Sequence, residues 1–122
     1  MILKEIDNLI KYVQLKAATT TSFGDIDLGV DDYPHISIIP ISNINIVEAS
    51  SDDNYVGFQL NIKITVSRKN ERDAIAILEK LLNSLPQFGC GKHMIGESGT
   101  AEYTQNTYTI TLQYLIKSII GV

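Results

Sequence analysis

The stretch Val56 to Leu85 constrains the fold more than any other part of the chain, because two periods meet in it without a break. From Val56 to Ser67 every even position is apolar and every odd position is small, polar or charged, the two-residue repeat of a strand with one face on a core. After Arg68-Lys69 the period changes. Ala74, Ile75, Leu78, Leu81, Leu82 and Leu85 recur at helical spacing, with Asn70 as the expected N-cap, Asp73 three residues on, and Pro86 as the stop. A strand running directly into a helix must be covered by that helix or a neighbour, and the core is expected to join Ile62, Ile64, Leu78 and Leu81.

The flanking elements follow from the same patterns. Ile2, Leu3, Ile6, Leu9, Ile10 and Val13 form one stripe of a helix over residues 2–14, whose role is to cover a sheet face. Residues 16–34, with Thr19-Thr20-Thr21-Ser22, two glycines and several acidic positions, show no sustained period and read as a long surface loop. His35 to Glu48 is strand-like, with Ile36, Ile38, Ile44 and Ile46 in one phase and Pro40 between the pairs. Proline cannot donate to a ladder, so this is an edge strand or one broken by a bulge. Ala49 to Tyr55, containing Asp52 and Asp53, reads as a hairpin loop. Gly96-Glu97-Ser98-Gly99 is expected to turn a small hairpin between Met94-Ile95 and Ala101–Tyr103. The last strand alternates Tyr108, Ile110, Leu112, Tyr114 and Ile116 against Thr107, Thr109, Thr111, Gln113 and Leu115. The order predicts a single α+β domain over residues 1–122: a mainly antiparallel sheet of about four strands with two helices on one face.

Composition excludes several function classes. Ten basic and fourteen acidic side chains give a net charge of −4 with no basic window, so the electrostatic footprint of a phosphate-backbone binder is missing. Charges inside Met1–Asp7 break any secretory apolar core, and no run approaches a membrane span, so a cytoplasmic protein without membrane contact is expected. One cysteine, Cys90, precludes an internal disulfide.

The constellations that invite chemistry fail on their own requirements. Counting a calcium loop from Asp25, the turn glycine falls on Val30 and the bidentate glutamate on Ile36. Cys90 and His93 have a metal-like spacing, yet a closed zinc site needs four ligands and the other histidine is His35. A Cys90 nucleophile with His93 or His35 as base has no positive support. Gly89–His93 lacks the first glycine and the Ser/Thr of a phosphate loop. Tyr103, Tyr108 and Tyr114 lack the basic flanks of base-stacking platforms and read as strand packing. No catalytic residue, cofactor site or metal site is therefore expected.

Four features taken together, the Ile2–Val13 stripe, the Ile36-Ser37-Ile38-Ile39-Pro40 strand after a polar loop, the Val56–Ser67 strand leading into Asn70–Leu85, and the closing strand Tyr108–Ile119, make nearly the whole chain resemble the tail terminator and tail-completion (head–tail joining) proteins of long-tailed bacteriophages. The resemblance rests on size and element order and carries no signature motif. It implies a non-enzymatic virion subunit, made in the host cytoplasm, that forms a ring with copies of itself, typically a hexamer. Such a ring sits on the tail tube protein, presents a surface to the head connector, and lets DNA pass through its lumen without specific binding. A ring needs two unlike surfaces on each subunit. The expected pair is the Pro40 strand edge with the Asp52-Asp53 loop, and the acidic loop around Asp31 and Asp32, which could meet Arg68, Lys69 and Arg72 of the next copy. The other readings are a small adaptor that binds a peptide by adding a strand at its edge, and a thiol hydrolase or transferase using Cys90.

Overall fold

The computed structural model describes residues 2–48, 54–91 and 94–120. In chain order the elements are α1 (Ile2–Ala17), β1 (Thr21–Phe23), β2 (His35–Glu48), β3 (Asn54–Ser67), α2 (Glu71–Ser84), β4 (Met94–Tyr103) and β5 (Thr107–Ile120). Short 3-10 turns cover Val30–Asp32 and Leu85–Gly91. The strands form one mixed sheet in the order β1-β2-β3-β5-β4. All pairs are antiparallel except β1 with β2, which is parallel.

The even-numbered face of the sheet is the dry one. Ile36 and Ile38, Leu60 to Val66, and Ile110 to Ile116 contribute their even positions to one core with Ile6, Leu9, Val13 and Ala17 of α1 and Ala74, Ile77 and Leu81 of α2. Tyr114 lies at its centre, 1% exposed, and burial pushes its phenol well above the ordinary range. The α+β class and the two-helix layer agree with the sequence reading.

Four details differ from it. The expected loop at 16–34 contains the fifth strand. α1 runs on to Ala17, and Thr21–Phe23 then pairs with Ile36–Ile38, a contact between distant segments that no local period announces. The Gly96–Gly99 segment is not a hairpin turn but an irregularity within β4, whose register against β5 shifts between Ile95 and Gly99. Its glycines permit close approach: a Cβ on Gly99 would stand 2.6 Å from the Thr111 carbonyl oxygen, and one on Gly96 2.8 Å from Gln113 Cβ. The true hairpin joins β4 to β5 through Thr104-Gln105-Asn106, where Thr104 N–H donates to the Thr107 carbonyl at 2.9 Å.

The third difference is the rotation of α2. Ile77 and Leu81 are buried, Leu78 is only half-buried, and Ile75 and Leu82 are each 44% exposed. Two helical phases fit Ala74 and Leu81, and the sheet selects the one through Ile77. The fourth is the cap, since Asn70 precedes the helix as expected but its side chain makes no capping hydrogen bond.

The two layers differ in length. At about 3.3 Å per residue in a strand and 1.5 Å in a helix, 14-residue β2, β3 and β5 run for about 46 Å, whereas α1 and α2 run for about 24 and 21 Å. The sheet is therefore about twice as long as the helices that cover it.

Candidate functional site

The polar groups gather at one end of the sheet, where β2 and β5 begin and β3 and β4 finish. His35 opens β2 there, 8% exposed, opposite Thr65 of β3. Its Nε2 lies 2.7 Å from Ser22 Oγ and its Nδ1 3.0 Å from Thr20 Oγ1. Thr20 Oγ1 is also 3.5 Å from the Pro34 carbonyl, to which it donates. One proton arrangement satisfies all of these: Ser22 O–H donates to Nε2, Nδ1–H donates to Thr20 Oγ1, and Thr20 O–H donates to Pro34. Burial lowers the His35 pKa from its ordinary value, and Asp32 opposes that shift in part.

A hydroxyl on an imidazole is the pairing used in nucleophilic catalysis, so its accessibility decides what it can do. The adjoining cleft of about 330 Å³ is lined by Thr20, Ile26, Asp27, Leu28, Asp31, Asp32 and His35, and Ser22 does not reach it. No carboxylate orients Nδ1, because Thr20 occupies it. Asp32 Oδ2 instead accepts the Gly29 N–H at 2.6 Å. The arrangement satisfies a buried imidazole and fastens β1 to β2 through side chains as well as backbone. Sequence reasoning missed this role for His35. The Thr19–Ser22 run was the signal, but its meaning depends on the pairing of β1.

The second polar cleft, about 400 Å³, lies at the same end on the other side of the sheet, lined by Ser67, Arg68, Lys69, Asn70, Gln105 and Asn106. Arg68 N–H donates to the Asn106 carbonyl at 3.0 Å, fixing the turn against the β4–β5 hairpin. The Arg68 guanidinium lies 5.4 Å from the Tyr103 ring centre, a cation–π contact. Tyr103 in turn packs on Tyr108, with ring centres 4.7 Å apart.

The sequence-predicted interface residues therefore divide into two groups. Asp31 and Asp32 are exposed on the β1 side, and Arg68, Lys69 and Arg72 are exposed on the side of the β3–α2 turn. Asp31 and Asp32 line the first cleft and Arg68 and Lys69 the second, while Arg72 lines neither. Pro40 is exposed on β2. Asp52, Asp53 and His93 lie outside the described residues. Cys90 belongs to the 3-10 turn after α2. Among the described residues no cluster of three His, Cys, Asp or Glu side chains could hold a metal ion, and no helix is long and apolar enough to cross a membrane.

The backbone of β2 also has a direction. Ile36 N–H donates to the Thr20 carbonyl, and the Ile38 carbonyl accepts from Gly24 N–H, so the even-numbered peptide groups of β2 point away from β3. Pro40 is in that phase, and its missing N–H costs the β2–β3 ladder nothing. The register shifts between Pro40 and Ile44, yet the pairs Ile44 with Phe58 and Ile46 with Val56 restore the phase. Beyond Ile38, the outer edge of β2 has no strand partner among the described residues.

No protein-family model matches this chain, and no curated protein matches it either.

Proposed function

We propose that the chain is a structural subunit that assembles with copies of itself into a ring, the role implied by its resemblance to phage tail terminator and tail-completion proteins. In that role it closes the head-proximal end of a tail tube and joins it to the head connector. The observation that carries the reading is a sheet far longer than its helix layer, with strand edges at both sides and polar charge groups of opposite sign at one end. A peptide-binding adaptor would use the same open edge of β2, and it is the second reading.

The test is genetic and visual. The neighbouring genes are expected to encode portal, capsid, tail-tube and tape-measure proteins, and deletion of this gene should leave heads and tails unjoined in electron micrographs. Adding the purified chain to the deletion lysate should restore joined particles. Metabolic neighbours, or intact virions after deletion, would overturn the reading.

A further inference from the structure

We infer that the outer edge of β2, from Pro40 to Glu48, receives β4 of a second copy in antiparallel, head-to-tail pairing; this deepens the ring reading and rests on it. The edge itself makes the first argument. Ile39 to Val47 carries no charged residue, and natural sheets protect long free edges with charges, prolines, bulges or a covering chain. Pro40 and the register shift protect only its beginning. From Ile44 onward, nothing in the sequence protects it until Glu48, so a covering strand is the remaining device.

Strand direction selects the occupant. β2 and β4 bound opposite sides of the sheet apart from the three-residue β1, and they run in opposite senses, since β3 opposes β2, β5 opposes β3 and β4 opposes β5. A neighbour placed beside β2 in the same orientation therefore presents β4 antiparallel to it. The phases agree as well. Arg68 N–H donates to Asn106, which places the even peptide groups of β3 toward β5, and Thr104 N–H donates to Thr107, which places the even groups of β4 toward β5. The odd groups at Gly99, Ala101 and Tyr103 consequently point outward from β4.

The short strand β1 then fixes the offset. Tyr103 pairs with Tyr108 and Tyr108 with Val66, one step beyond the Thr65–His35 pair, so Tyr103 is level with Pro34. β1 occupies the edge at Ile36–Ile38, and the neighbour's Tyr103 can come no closer than Pro40. The neighbour must slide by about six residues across four strands, which corresponds to a strand tilt of about 45° at the usual strand spacing, close to the tilt of closed barrels. The same slide brings the neighbour's Arg68, which rests over its Tyr103, level with Ile38 and beside the acidic segment Asp25–Asp32. Charge complementarity thus favours head-to-tail pairing over a two-fold β2–β2 contact, which would turn the basic end away.

Proline substitutions in the outward phase test this without touching the ladders inside the subunit. Ile46→Pro and Ala101→Pro should each keep the wild-type circular dichroism spectrum and melt cooperatively. The wild-type chain, followed by sedimentation velocity up to several hundred micromolar, should form a closed species of more than two subunits, and both variants should lose it. In a Cys90→Ser background, Ile44→Cys mixed with Ala101→Cys should give disulfide-linked dimers on mild oxidation, while Ile44→Cys alone should not. A wild-type monomer at every concentration, a species that stops at two, or cross-linking of Ile44→Cys with itself overturns the inference. If either proline variant fails to fold, the cross-linking pair decides alone. A ring unaffected by two folded proline variants also overturns it, while leaving the proposed function standing on other surfaces.

Discussion

Tyr12 of α1 donates its phenolic hydroxyl to the backbone carbonyl of Ser84 at 2.6 Å, so the first helix supplies a hydrogen bond that the last turn of the second cannot make for itself. The Tyr12 ring also packs on Phe88 with centres 5.0 Å apart, and Lys16 Nζ lies over it, 5.6 Å from the ring centre. One side chain thus joins α1, the end of α2 and the 3-10 turn after it. Tyr12→Phe keeps the ring and removes the bond, and should cost about 0.5–1.5 kcal/mol in urea unfolding. An unchanged unfolding midpoint would mean that water replaces the hydroxyl at no cost.

The rotation of α2 is testable by comparing leucines. Leu81 is fully buried, Leu78 half-buried and Leu82 44% exposed. Leu81→Ala should cost about 2–5 kcal/mol, whereas an exposed substitution such as Leu82→Ala should stay within about 0.5 kcal/mol, with Leu78→Ala between them. Equal losses at Leu78 and Leu81 would restore the phase expected from the sequence.

His35 gives a pH dependence of known sign. Its folded-state pKa is lowered chiefly by burial, so between the folded value and the ordinary value of about 6.5 the unfolded chain binds more protons. The contribution of His35 is complete above about pH 6.5 and declines as the pH falls toward the folded value. Wild type should therefore lose more stability between pH 8 and 5 than His35→Gln does. Parallel pH profiles for the two proteins would show that the histidine does not titrate differently on folding.

Two backbone positions should respond in opposite directions. Ala18, exposed just after α1, has φ +50°, a conformation that costs an L-residue roughly 1–2 kcal/mol and glycine little. Ala18→Gly should stabilise the protein by about 1 kcal/mol. Gly99→Ala would place a methyl group 2.6 Å from the Thr111 oxygen and should destabilise it by about 1–3 kcal/mol through forced separation of β4 from β5. Thermal midpoints moving the same way in both would contradict these assignments.

On the ring reading, Arg68→Glu with Arg72→Glu should yield a folded subunit that fails to complete tails, and Asp31→Lys with Asp32→Lys should restore part of the activity. Each exposed pair is worth only about 0.2–1 kcal/mol, so the effect comes from several contacts repeated around the ring. Full activity of the charge-reversed subunit would remove these residues from the interface.

The sequence alone determined the parts whose signal is local and periodic. Alternation in Val56–Ser67 and Tyr108–Ile116 predicted which side chains face the core, and the even positions from Leu60 to Val66 and from Ile110 to Ile116 do so. The stripe of α1 was legible for Ile6, Leu9 and Val13, although Leu3 is 76% exposed because it lies in the first turn, where the core ends. Only tertiary structure decided what depends on distant partners. A three-residue strand has too few positions to show a period, so β1 exists through its pairing with Ile36–Ile38 and the bonds of Thr20 and Ser22 to His35. Gly96 and Gly99 carry the composition of a turn, but the approach of β5 uses them to bring two backbones together. The spacing of α2 pointed to Leu78, but a helix with apolar residues on a wide arc can rotate, and contact with the sheet buries Ile77 and leaves Leu78 half-buried. Pro40 announced an edge from sequence, and pairing showed why it is tolerated: its nitrogen points away from β3, where no ladder bond is lost.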